Sequence, residues 1–162
     1  MFSQRLIASA ENLLAAARAN GLKIATAESC TGGLIAGLLT GIAGSSDVFE
    51  RGFVTYSNDA KEQMLGVPAA LLRQHGAVSE AVARAMAEGA IRQSAAQAAV
   101  AVTGIAGPGG GSDDKPVGLV YIAAARAGEA TLVRECRFGD IGREAVRLKT
   151  VEAALALLAG LV

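Results

Sequence analysis

The spacing of apolar residues changes along the chain, and each change predicts an element. Residues 3–19 place Leu6, Ile7, Leu13, Leu14 and Ala17 on one helical stripe, and Asn20-Gly21 supplies the stop. Residues 22–27 form an apolar run of strand length. The polar string Glu28-Ser29-Cys30-Thr31-Gly32-Gly33 ends it, and residues 31–39 resume as a buried helix. A loop over 41–47 leads to a second strand over 49–56. Two short helices follow, over 59–65 and 68–74, the first stopped by Gly66 and the second opened by Pro68. Ser79-Glu80 starts a long alanine-rich helix that reaches about Ser94. Residues 98–103 read as a short buried strand and run into a glycine-rich loop over 104–112. Strands over 117–125 and 130–138 flank the turn Arg126-Ala127-Gly128-Glu129, a connection so short that it demands antiparallel pairing. Gly139-Asp140 begins a final helix with Val146, Val151, Ala154, Leu155 and Leu158 on its inner face.

Helices between the early strands imply parallel crossovers, and the closing hairpin adds an antiparallel member. The expected architecture is a single three-layer α/β/α domain over residues 1–162, with a mixed, mostly parallel sheet of about five strands. Composition sharpens this picture in one respect. Apolar residues make up 52% of the chain, with alanine prominent, and 20 glycines and no tryptophan point to close helix–sheet packing. Formal net charge is zero and no basic tract stands out, so nothing favours nucleic acid as a partner. Glycine or charge breaks every apolar stretch before membrane-spanning length. Arg5, Glu11 and Arg18 recur through the N-terminal segment, which therefore reads as an amphipathic helix rather than a signal peptide. Cys30 and Cys136 stand without metal-ligand neighbours, and a reduced, cytoplasmic setting is expected. The sequence leaves a homo-oligomer open.

Three predicted strand ends carry polar, glycine-rich sequence: 28–33, 56–61 and 103–112. In open α/β sheets, ligands collect beyond such ends. Ser29 and Lys61, offered from two of them, are the parts of a serine–lysine hydrolase. Their structural alternatives are a helix cap and a solvated charge. Backbone N–H groups at a helix N-terminus after Ser29 would suit an anion or a developing oxyanion. Cys30 reads as a small packing residue, since the single histidine, His75, has no motif around it.

The strings TAESCTGGLIAGLLT, GFVTYSNDAKEQMLGV and AVTGIAGPGGGSDDKPVGLVYIA resemble the CinA C-terminal domain family. The resemblance runs over nearly the whole chain with the motifs in order. It implies nicotinamide-nucleotide amidase activity: hydrolysis of nicotinamide mononucleotide to nicotinate mononucleotide and ammonia, without metal or organic cofactor. In that reading Ser29 is the nucleophile and Lys61 the general base, then the acid for the leaving ammonia. The N–H groups of Thr31, Gly32 and Gly33 are the oxyanion candidates. Tyr56 holds Lys61 or the substrate, or else simply packs on the sheet. Thr103, Gly104, Gly107 and Gly109 approach the nucleotide, or else belong to a flexible surface loop. Arg143 clamps the 5′-phosphate through its planar fork. Family members usually carry arginine directly after Gly-Asp, whereas this chain reads Gly139-Asp140-Ile141-Gly142-Arg143. The alternative of another class is a non-catalytic module that binds pyridine nucleotides.

Overall fold

The computed structural model describes residues 2–162. Helix α1 (Gln4–Ala19) opens the chain, capped by the Ser3 hydroxyl, which accepts the Leu6 N–H. Strand β1 (Ile24–Glu28) is buried at every position and leads to α2 (Leu34–Thr40). A 3₁₀ turn, Ser45–Asp47, precedes β2 (Phe49–Val54). Helices α3 (Asn58–Leu65), α4 (Ala69–His75) and α5 (Glu80–Arg92) follow in succession. Strand β3 (Ala98–Gly104) is followed by the hairpin of β4 (Leu119–Arg126) and β5 (Leu132–Arg137), and α6 (Arg143–Ala159) closes the chain.

The sheet order is β2-β1-β3-β4-β5. Strand β1 pairs parallel with both β2 and β3, while β3–β4 and β4–β5 are antiparallel, so β4 alone runs against the other four. The mixed sheet and three layers agree with expectation. From β1 the chain first steps to one side, to β2, and then crosses back to β3 on the other. Right-handed crossovers in opposite directions place their helices on opposite faces. Accordingly, α1, α2 and α6 cover one face around Ile24, Val100, Val102, Val120 and Ile122. Helices α3, α4 and α5 cover the other around Ala25, Ala27, Ala99, Ala101 and Ala123.

The second face is built almost wholly of alanine, which lets α5 sit close to the strands. Close approach continues between helices: a Cβ on Gly89 of α5 would lie 2.2 Å from the Leu65 carbonyl of α3. Only glycine permits that contact, and it fixes the helix that carries Lys61. No helix among the described residues is long and apolar enough to cross a membrane.

Two helix starts differ from the sequence reading. Helix α2 begins at Leu34 rather than Thr31, because Gly32 and Gly33 have φ of 58° and 100°, outside the helical region. Helix α6 begins at Arg143 rather than near Gly139 for the same reason, with Gly139 at φ 77° and Gly142 at φ 91°. Arg143 is therefore the first residue of its helix.

Candidate active site

Glu28, the last residue of β1, stands opposite Val54 on one neighbour and Val102 on the other. The three parallel strands thus end together, and Ser29, Thr55 and Thr103 lie side by side at their carboxyl ends. Two backbone bonds hold this level: Ser29 N–H donates to Val102 O at 3.0 Å and Thr55 N–H to Glu28 O at 2.8 Å. The place is the switch point of the sheet, where the chain leaves β1 in one direction and returns to β3 in the other.

Strand alternation sends Glu28 and Ser29 to opposite faces. Glu28 points at α2 and is fully buried. Its carboxylate accepts the N–H groups of Gly33, Ile35 and Ala36 at 3.1, 3.0 and 2.8 Å, and the Thr31 hydroxyl at 2.6 Å. The positive end of α2 already holds an anion, and that anion is the protein's own side chain. This corrects the oxyanion assignment. Gly33 N–H is committed to Glu28, and Gly32 N–H donates to Ser29 O at 3.0 Å. Among the described residues, the Thr31 N–H finds no acceptor in the protein and the Cys30 N–H meets only its own thiol, so these two remain as the donors beside Ser29. Glu28→Ala should strand these donors in the interior. A loss of roughly 3–5 kcal/mol is expected, a fall in melting temperature on the order of 10 °C, read by calorimetry or circular dichroism.

Ser29 faces the α3 layer, half-buried. Lys61 reaches it from the inner face of α3, where Ser57 caps the helix and Leu65 shares the buried stripe. Its side chain is only 1% exposed. The Nζ atom lies 3.1 Å from Ser29 Oγ and donates to Thr55 O at 2.9 Å. No carboxylate hydrogen-bonds to it among the described residues, and burial pushes its pKa below the ordinary lysine value. Cys30 would oppose this as a thiolate, but burial pushes that thiol up to about 12, so it stays neutral. An inert, buried Cys30 fits packing rather than nucleophilic duty.

Arg143 draws the other two segments together. It donates through Nη1 to Gly107 O at 2.9 Å and through Nη2 to the Tyr56 hydroxyl at 2.8 Å. Tyr56 is 61% exposed and stands out from the sheet rather than packing on it or reaching Lys61. Thr103 is buried, and its hydroxyl donates to Ala77 O at 2.9 Å, tying β3 to the segment before α5 instead of facing outward. Gly104 ends β3 opposite Val120 with no room for a side chain, while Gly109 is exposed in the loop beyond.

Sequence reasoning missed Arg147, one helical turn after Arg143. It donates through Nε to Cys30 O at 3.1 Å and through Nη2 to Thr31 O at 2.8 Å. The i, i+4 spacing from Arg143 would have put both on one face of the helix. Glu28 was also read only as part of the polar string. Its signal was a lone charge ending an otherwise apolar, buried strand. A cleft of about 510 Å³ between α2 and α6, lined by Phe2, Leu34, Arg143, Glu144, Arg147 and Leu148, meets the site through the two arginines and is not lined by Ser29 or Lys61.

The family model of the CinA C-terminal domain matches residues 7–162. The chain belongs to that family. The chain is 52% identical to the nicotinamide-nucleotide amidohydrolase PncC of Escherichia coli K12 over 159 residues, 98% of this chain and 95% of that one. A CinA-like protein of Geobacter sulfurreducens is 58% identical over 85% of this chain, which spans only 33% of that longer relative. Among solved structures, the competence/damage inducible protein CihA from Agrobacterium tumefaciens superposes with a TM-score of 0.97. It is 54% identical, with 99% of this chain and 98% of that one covered. This CinA domain therefore matches a named amidohydrolase nearly end to end.

Proposed function

We propose that this CinA-family chain hydrolyses the carboxamide of nicotinamide mononucleotide, with Ser29 as nucleophile and Lys61 as its base. One observation carries the reading: an almost fully buried lysine amine 3.1 Å from a serine hydroxyl, with no carboxylate bonded to it among the described residues. A surface lysine would remain protonated at neutral pH, whereas this one is held toward the neutral amine. A neutral amine has one lone pair and two N–H groups. The lone pair takes the Ser29 proton while one N–H stays on Thr55 O, which aims the lone pair at the hydroxyl.

Attack of Oγ on the amide carbon passes the serine proton to Lys61 Nζ and forms a tetrahedral oxyanion. The N–H groups of Cys30 and Thr31, next in the chain, are the donors that would receive that charge. Collapse breaks the C–N bond as Lys61 returns the proton to the departing nitrogen, giving ammonia and a Ser29 ester. Water then attacks the ester, Lys61 takes its proton, and cleavage of the C–Oγ bond hands a proton back to Ser29. The product is nicotinate mononucleotide. A module that only binds nucleotide has no use for a buried amine at a serine. The similarity to a named nicotinamide-nucleotide amidohydrolase over 98% of the chain supports the substrate class.

Ammonia release from nicotinamide, its riboside and its mononucleotide tests the reading; turnover of the mononucleotide should be fastest, and none on any of the three would refute it. The phosphate falls to Arg143, which opens α6 at the edge of the cleft and would exchange its contacts with Gly107 and Tyr56 for phosphate oxygens. Arg143→Ala should raise KM for the mononucleotide roughly 10- to 100-fold, since a charged hydrogen bond remote from the amide contributes mostly uniform binding. Riboside hydrolysis should hardly change. Equal losses on both substrates would place Arg143 in the support of the reaction centre instead.

A further inference from the structure

We infer that Arg147 is a positioning residue of the reaction, holding and polarising the Cys30–Thr31 peptide so that its N–H faces the oxyanion formed at Ser29. The inference rests on the proposed serine mechanism and adds a residue to it. The turn after Ser29 is gripped from two sides by opposite charges. Glu28 takes N–H groups at Gly33, Ile35 and Ala36, and Arg147 takes the carbonyls of Cys30 and Thr31. Between those grips, the Thr31 N–H is left without an acceptor among the described residues, and the Cys30 N–H meets only its own thiol.

The pairing of atoms is specific. The Cys30 carbonyl and the Thr31 N–H belong to one peptide group, so a guanidinium on that carbonyl draws electron density from the same unit. Hydrogen bonds in series polarise one another, and the Thr31 N–H becomes the stronger donor. The planar fork also fixes the orientation of the turn, because Nε and Nη2 bind two successive carbonyls at 3.1 and 2.8 Å. Lysine can supply the charge but not that two-point geometry. Arg147 arrives from α6, whose Val146, Val151, Ala154 and Leu155 are buried against the sheet, so the guanidinium is carried on a fixed element.

The test uses Arg147→Met, close in length and uncharged, beside Arg147→Lys and the wild type. Three quantities are read: kcat and KM on nicotinamide mononucleotide, the melting temperature, and two dissociation constants. One ligand is nicotinate mononucleotide, a planar ground-state mimic. The other is the carboxaldehyde analogue of nicotinamide mononucleotide, which Ser29 adds to and converts into a tetrahedral oxyanion. Arg147→Met should lower kcat about 30- to 300-fold with KM within about threefold, somewhat less than the roughly 10²- to 10³-fold for outright loss of an oxyanion donor, because the donor is weakened and not removed. Affinity for the aldehyde should fall in proportion while that for nicotinate mononucleotide holds. Arg147→Lys should recover less than a third of the lost rate. Equal weakening of both ligands, or near-complete rescue by lysine, would overturn the inference, the first pointing to direct nucleotide binding and the second to charge alone. Unchanged kcat in Arg147→Met beside an active wild type would overturn it too, and an inactive wild type would instead refute the function on which it rests.

Discussion

Ser29→Ala should leave a folded protein that releases ammonia from nicotinamide mononucleotide at least about 10⁴-fold more slowly than wild type, since residues that act as a catalytic unit lose several orders of magnitude when the nucleophile goes. The change removes one half-buried hydroxyl and leaves the backbone bond from Ser29 N–H to Val102 O in place. Melting temperature should therefore stay within a few degrees, and nicotinate mononucleotide should still bind. Cys30→Ala is the control, because a buried neutral thiol takes no part in the proposed chemistry. Retained turnover in Ser29→Ala together with its loss in Cys30→Ala would reverse the assignment of the nucleophile.

Lys61 should be nearly as sensitive, and its pH behaviour separates a base from a prop. The wild-type rate should climb with pH along a single ionisation below the ordinary lysine value, because burial disfavours the ammonium. Lys61→Arg keeps the charge but cannot give up a proton, so it should be almost as inactive as Lys61→Ala in single-turnover assays. An active Lys61→Arg enzyme would remove the general-base role. The same burial has a signature in stability. Folding lowers this pKa, so the unfolded chain binds the proton more tightly and stability rises with pH wherever that difference persists. The window runs from the folded-state pKa up to the free-lysine value of about 10.4. Across it, wild type should gain stability relative to Lys61→Met in urea titrations; a flat difference between the two would mean that the amine ionises as freely as in water.

The layers and the sheet could be read from the sequence because they rest on local period: stripes of leucine in the terminal helices, short apolar strands, and a four-residue turn that forces a hairpin. Boundaries went astray where glycine decides. Gly32 and Gly33 hold the α2 start back to Leu34, and Gly142 holds the α6 start back to Arg143. Ser29 and Lys61 could be singled out as candidates because each follows a strand, while their roles came from the resemblance to the family; register sets the strand ends level. What no spacing conveyed was which polar groups were already taken. The α2 N-terminus invites an anion in sequence, but whether Glu28 fills it depends on the direction one side chain takes. Arg147 meets the Cys30 and Thr31 carbonyls from more than a hundred residues away, and only the packing of α6 over the sheet brings it there. Thr103 and Tyr56 likewise have hydroxyls whose partners lie on other elements.

The alternation along β1 bears on how this segment can change by descent. Ala25 and Ala27 belong to the α5 side together with Ser29, while Thr26 and Glu28 belong to the α2 side. A point substitution disturbs one layer at a time, and the other persists. Loss or gain of a single codon between positions 24 and 28 does something different in kind. It would turn the carboxylate toward the lysine and bury the nucleophile beneath a helix, exchanging scaffold and chemistry in one step. A substitution in β1 is thus felt within one layer, the buried Glu28 most of all, whereas a change in its length is felt by scaffold and chemistry together.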